Sequence, residues 1–137
     1  MRTAIDSNVF SAIWSGKSSV PKLLAQLEKA QQEGALLISP FVFAELHAYP
    51  GMTTGLVRKF LHETSVVVDF RVEEGVWTET GFRFARYAAR RRKSYGAGPR
   101  RVLADFLIGA HALLQADRLL TLDPAVYRQD FPEVSLL

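Results

Sequence analysis

The chain of 137 residues contains no cysteine. That absence excludes disulfides, thiolate metal sites and cysteine nucleophiles, and it fits a reducing compartment. No apolar run approaches the ~20 residues that a membrane span requires. The N-terminal stretch reaches a charge at Arg2 and again at Asp6, too early for a signal peptide. The chain is therefore expected to begin directly with folded structure, to stay off the membrane and to work in the cytoplasm. No internal repeat, low-complexity tract or long linker interrupts it, so 1–137 reads as a single domain, long enough to bury a substantial core. A glycine-rich phosphate loop is missing too: Gly96 and Gly98 belong to a turn that lacks the lysine of a P-loop.

Charge is present but segregated. The net value is +3, from 17 Lys and Arg against 14 Asp and Glu. Eight of the bases lie within 83–101 (Arg83, Arg86, Arg90, Arg91, Arg92, Lys93, Arg100 and Arg101), a stretch that holds no acid. The remaining nine face all 14 acids, which leaves the rest of the chain at −5. Such a division makes a polyanionic partner plausible.

Short apolar runs at 3–5, 35–38, 65–68, 119–122 and 134–136 read as strands, continuous rather than alternating, as in a parallel sheet covered on both faces. Helical patterns fill the gaps. Residues 20–32 place Leu23, Leu24, Leu27 and Ala30 on one face, with Gly34 as a stop. Ser39-Pro40 opens a second helix that is expected to run to about residue 50. Others are expected over 54–62, 72–93, 101–116 and after Pro124. Alternating strands and helices define an α/β domain with a mainly parallel sheet. In such sheets ligands bind beyond the carboxyl ends of the strands.

Four acids stand apart from the other ten. Asp6 is the only charge in 3–16, Glu45 in 35–49, Asp105 in 102–116 and Asp123 in 119–127. Burying an unpaired carboxylate costs several kcal/mol or drives its pKa upward, so each needs a partner. Asp105 makes the point most clearly. Leu103, Phe106, Leu107, Ala110, Leu113 and Leu114 form a broad core face, and Ile108, Gly109 and Ala112 surround the acid on the other side. That helix is apolar nearly all round and is expected to be buried, with the small residues leaving room beside the carboxylate. Asp6 follows the first strand, Asp123 ends the 119–122 strand, and Glu45 lies about one and a half turns beyond the 35–38 strand. A parallel sheet brings those strand ends to one edge. Like charges gathered there repel, and divalent cations relieve the repulsion; an all-oxygen set suits Mg²⁺ or Mn²⁺. Metals held in this way activate water and stabilise the leaving oxygen of a phosphodiester. Taken singly, each acid is as readily a helix cap or a structural pair; Asp6-Ser7-Asn8 and Asp123-Pro124 both suit helix starts. All four in such isolation are hard to explain that way. Asp69 also ends a strand, and nearby Arg71 is its expected structural partner.

The arrangement resembles PIN-domain nucleases. Asp6-Ser7-Asn8-Val9-Phe10 closing a first strand is similar to the family's opening motif, and Glu45 within Ser39-Pro40-Phe41-Val42-Phe43-Ala44-Glu45-Leu46 to its second acid. Asp105 within Ala104-Asp105-Phe106-Leu107-Ile108-Gly109-Ala110-His111-Ala112 resembles the third, and Thr121-Leu122-Asp123 the fourth. The likeness spans the whole chain. It implies a five-stranded parallel sheet flanked by helices and Mg²⁺- or Mn²⁺-dependent cleavage of RNA. Small single-domain members are mostly VapC-type toxins that form homodimers and are silenced by a cognate antitoxin. By this resemblance Asp6, Glu45, Asp105 and Asp123 are the metal ligands, with Asp123 acting directly or one shell out. Ser7, Asn8 and Thr121 are supporting polar residues. A PIN-like nuclease outside a toxin–antitoxin pair, or a PIN fold that only binds RNA or protein, are the alternatives.

Arg83, Arg86, Arg90 and Lys93 step by 3, 4 and 3 and form one stripe on a helix, while Val76, Thr80, Phe84 and Ala88 form another at i, i+4 spacing that is expected to face the core. Arg100 and Arg101 continue the block toward the helix of Asp105. With the charge segregated, all six are candidates for nucleic-acid binding, expected to be salt-sensitive. Trp14, Trp77 and Tyr95 are candidates for base stacking, although aromatics in a domain of this size usually lie in the core. His47, His62 and His111 form neither a ligand set nor a triad and read as structural or surface residues. A haloacid-dehalogenase-type phosphatase would need a second Asp where Asn8 stands. A receiver-like domain would need adjacent acids after the first strand and a late lysine, and neither is present.

Overall fold

The computed structural model describes residues 1–137. Four strands, β1 (Arg2–Ile5), β2 (Ala35–Ile38), β3 (Val66–Val68) and β4 (Arg118–Leu120), form one sheet in the order β3-β2-β1-β4. All three pairings are parallel, with Ala4 opposite both Leu37 and Leu119. Seven helices connect and cover the strands: α1 (Ser7–Trp14), α2 (Val20–Glu33), α3 (Pro40–Leu46), α4 (Thr54–Glu63), α5 (Glu74–Lys93), α6 (Leu103–Gln115) and α7 (Pro124–Asp130). The parallel α/β architecture is the expected one.

The fifth strand is a correction. Residues 134–136 contribute a single parallel bridge, Leu119 to Leu136, in which Leu119 N–H donates to Ser135 O at 2.8 Å and the Leu119 carbonyl accepts from Leu137 N–H at 3.0 Å. β4 forms a three-residue ladder with β1 on one edge and only this one bridge on the other. The second helix is also shorter than expected. It starts at Pro40 with Ser39 Oγ accepting from Val42 N–H, then gives way to turns after Leu46.

Ile5, Ile38, Leu119 and Leu120 are almost wholly buried within one continuous core. On one side Phe10, Trp14, Tyr49 and Phe60 pack edge to face between α1, the turns after α3, and α4. On the other, Phe84, Tyr87, Phe106 and Phe131 tie α5 and α6 to the segment after α7. Helix α6 is buried all round from Phe106 to Ala112, as its composition requires. Leu103 and Leu114 prove exposed, because the end turns of α6 project beyond that packed centre. The space expected beside Gly109 is also taken. A Cβ there would stand 2.4 Å from the Phe131 ring, so this glycine exists to admit an aromatic, not a ligand.

Strand order positions the site. The chain winds outward from β1 to β2 and β3, then returns across the sheet to place β4 on the far side of β1. The carboxyl ends of β1 and β4 therefore flank a topological switch point, where a crevice opens. Asp6 and Thr121 are the first residues beyond those two ends.

Candidate metal centre

Asp6 is buried, at 6% exposure, and stands at the N-cap of α1 without capping it. Its side chain turns instead toward β4. Oδ2 accepts from Asn8 Nδ2 (3.2 Å), Thr121 Oγ1 (2.8 Å) and the Tyr127 hydroxyl (2.9 Å). Asn8 also donates to Thr121 Oγ1 at 3.2 Å and accepts from Leu122 N–H, while Thr121 accepts from Asp123 N–H. These bonds stitch the ends of β1 and β4 together through neutral groups. Ser7, Asn8 and Thr121 thus lie around Asp6, and Tyr127 joins them as a residue that sequence reasoning missed.

Glu45 projects from α3, and Asp105 from the first turn of α6, where it accepts a long bond from Val102 N–H at 3.4 Å. Partial burial pushes the Glu45 carboxyl above its ordinary range, and the charges of Asp6 and Asp105 add to the rise, against a hydrogen bond from Ser7. Glu45 is exposed as a residue, so its shift reflects the protein on one side of it together with those charges. Burial also raises Asp105; Asp6 and Asp123 raise it further, while Val102 N–H and Arg101 oppose the rise. The Tyr127 phenol is pushed up by burial first, then by Asp6, with Asp105 and Glu45 contributing. The four acids are therefore neighbours, each within electrostatic reach of another. Asp123 is exposed at the start of α7. No three of these carboxylates, nor any with a histidine, stand in a geometry that would enclose an ion.

Over this geometry the chain's residues 3–132 match the PIN domain family. The chain belongs to the PIN-domain family. Its fold is similar over its full length to VapBC2 from Rickettsia felis, solved bound to a promoter DNA fragment, at 18% identity and a TM-score of 0.65, covering 98% of that chain. It is likewise similar to VapBC-1 from nontypeable Haemophilus influenzae, at 21% identity and a TM-score of 0.67, covering 97% of that chain. At such identities the likeness shows the fold alone. No curated protein matches the chain in sequence.

The basic stripe of this PIN domain is broken. Arg83 is 7% exposed and points inward. It donates to Glu79, to Asp130 O and through two nitrogens to Glu133, with its guanidinium 4.6 Å from the centre of the Phe131 ring. Its assignment to nucleic-acid binding is corrected: it is an internal brace. Arg90 is half committed, to Asp130. Arg86, Lys93 and Arg100 remain exposed. Arg101 lies near enough to Asp105 to oppose its pKa rise, and with Arg90, Arg91, Ser94 and Gln129 it lines a pocket of about 190 Å³.

The remaining candidates fall into place around the PIN core. Trp14 belongs to the aromatic cluster of α1 and α4, whereas Trp77 is half exposed against Phe41 and Tyr95 is fully exposed. His47 bridges Phe43 O and Thr54 Oγ1, and His62 is exposed. His111 is buried against Asp69, and burial lowers its pKa. Asp69 is structural, as expected, but its partners are His111, Gln115 and Arg2, not Arg71. Arg71 offers only its carbonyl, to the same Gln115.

The crowded acids carry a stability signature. A carboxyl whose pKa is raised on folding holds its proton at pH values where the unfolded chain has lost it, so its contribution falls as pH rises through that window. For Glu45 and Asp105 the window opens at their ordinary values of 4.5 and 3.8 and extends to the raised folded values. Metal-free Glu45→Gln is therefore expected to melt above the wild type, by a margin that widens as pH rises through that window. Thermal unfolding in chelator across pH checks this. A margin that narrows with rising pH would contradict the repulsion.

Proposed function

We propose that this PIN domain, with residues 1–137 acting as one unit, is a metal-dependent endoribonuclease and the toxin of a toxin–antitoxin pair. The observation that carries the reading is the gathering of Asp6, Glu45 and Asp105 at the switch point between β1 and β4, where the charge of Asp6 raises both Glu45 and Asp105 and Asp105 adds to the rise of Glu45. The donor set fits a hard divalent cation in its chemistry: every donor is an oxygen, and no lysine or arginine hydrogen-bonds to Asp6 or Asp105. Asp6, Glu45 and Asp105 would hold Mg²⁺ or Mn²⁺, with Asp123 at the rim as a further ligand or an outer partner. Bound there, the ion would act as a Lewis acid toward the phosphate and make water a competent nucleophile near neutral pH.

The chain's own groups supply the rest. Asn8, Thr121 and Tyr127 hold Asp6 in one orientation, and Ser7 lies between Asp6 and Glu45. Arg101, beside Asp105, shares a surface pocket with Arg90 and Arg91, and Arg86, Lys93 and Arg100 are exposed on the same basic segment, positive charge for the phosphates of a strand. RNA is the polyanion that the family resemblance favours. The shared fold with VapBC structures supports a cognate antitoxin as partner, and the half-exposed Trp77–Phe41 pair offers apolar surface for a homodimer. No helix is long and apolar enough to cross a membrane, in keeping with work in the cytoplasm.

The test is cleavage of a mixed RNA pool by the purified chain. Cutting is expected with Mn²⁺ or Mg²⁺ and is expected to stop on adding EDTA. Expression should arrest growth, and a co-encoded partner should relieve the arrest. RNA cleavage that continues undiminished in EDTA would contradict the proposal.

A further inference from the structure

Tyr127 is the deepest polar group around Asp6, and its role goes beyond filling the core. The residue is 1% exposed, on α7, 121 positions away from the acid it touches. Its ring packs toward Phe131 at 6.4 Å between centroids, a contact that phenylalanine would make equally well. Only the hydroxyl distinguishes tyrosine here, and its one hydrogen-bond partner is Asp6 Oδ2.

That oxygen already accepts from Thr121 and Asn8. A carboxylate oxygen offers about two lone-pair directions, so three donors saturate it. Oδ1 is nearly free in contrast, approached only by Ser7 Oγ at 3.5 Å. Ser7 also lies close enough to Glu45 to lower its pKa, so Oδ1 is the oxygen of Asp6 on the Glu45 side.

We infer that Tyr127 is a positioning residue that, with Thr121 and Asn8, saturates Oδ2 of Asp6 and leaves Oδ1 alone to meet a divalent ion. The inference rests on the proposed reading of Asp6 as a metal ligand. A neutral donor suits the task, because a lysine or arginine in its place would cancel the charge that attracts the ion. Binding through one oxygen favours small octahedral ions such as Mg²⁺ and Mn²⁺; Ca²⁺, larger and less strict in geometry, accepts both oxygens of a carboxylate readily.

Calorimetric titration of the chelator-stripped chain with Mn²⁺ and, separately, with Ca²⁺, without RNA, tests this. Tyr127→Phe is expected to bind Mn²⁺ about tenfold more weakly, the usual effect of losing a partner that orients a ligand. Its Ca²⁺ affinity should fall by less, so the preference for Mn²⁺ narrows. Unchanged Mn²⁺ affinity, or equal losses for the two ions, would overturn the inference. Asp6→Asn separates the two claims. If it binds Mn²⁺ like the wild type, the metal reading itself fails. If it loses Mn²⁺ while Tyr127→Phe does not, only the positioning role fails. Should Tyr127→Phe not fold, resonance Raman of a labelled tyrosine at 127 in the native chain replaces it. The hydroxyl is expected to remain a strong donor before and after Mn²⁺ is added, and loss of that signature on loading would overturn the role.

Discussion

Arg83→Ala is expected to lose about 3 kcal/mol of stability, the low end of the cost of breaking a buried ion pair from one side, or about 10 °C in melting temperature for a chain of this size. The low end applies because Glu133 is half exposed, so part of its charge returns to water when its partner goes. Four hydrogen bonds and the contact with Phe131 disappear together, and Asp130 O and Glu79 lose a donor. Arg83→Lys keeps the charge but cannot satisfy the forked contact with Glu133, so it should recover only part of the loss. Glu133 is held below its ordinary carboxylate range by Arg83. That contribution is present above the ordinary value and fades as pH falls through the lowered one. Urea unfolding measures the loss, and RNA affinity per folded molecule should be unchanged. A stable Arg83→Ala with weakened RNA binding would restore Arg83 to the nucleic-acid surface.

Asp6→Asn is expected to cut RNA about 10²- to 10³-fold more slowly, the scale on which active sites respond to loss of one preorganised electrostatic group, while remaining folded. Asparagine keeps the shape, and its carbonyl oxygen can take the place of Oδ2 before Asn8, Thr121 and Tyr127. The variant also sheds one of the charges that raise Glu45 and Asp105, so its metal-free form should be at least as stable as the wild type. Asp123→Asn should cost less, about tenfold, because Asp123 lies exposed at the rim and reaches the cluster only through Asp105. Single-turnover cleavage of a labelled RNA ranks the two variants. Equal activity of Asp6→Asn and the wild type would remove Asp6 from the chemistry.

The acids were legible in the sequence because each is alone among apolar residues, and burial of a lone carboxylate demands a reason. The parallel sheet was legible for a related cause: strands covered on both faces must be apolar throughout. Pairings between distant segments were not. The 3, 4, 3 spacing of Arg83, Arg86, Arg90 and Lys93 describes one helix face, but nothing local reveals that Glu133 and Asp130 return to meet Arg83. Arg71 looked like the partner of Asp69 because it is near in sequence, whereas His111 and Gln115 are near in space. Gly109 suggested an open space beside Asp105, and a phenylalanine 22 positions later fills it. Tyr127 gave no signal at all, since a tyrosine on a short amphipathic helix usually just packs.

The place where a divalent ion binds tests the proposed role of these acids most directly. Crystals of the chain soaked in Mn²⁺ should show an anomalous peak about 2.1 Å from a carboxylate oxygen of Asp6, shared with Glu45 or Asp105, and Asp6→Asn crystals should lack it. A strong Mn²⁺ peak elsewhere with none at these acids, or one at the same place in Asp6→Asn, would contradict the account.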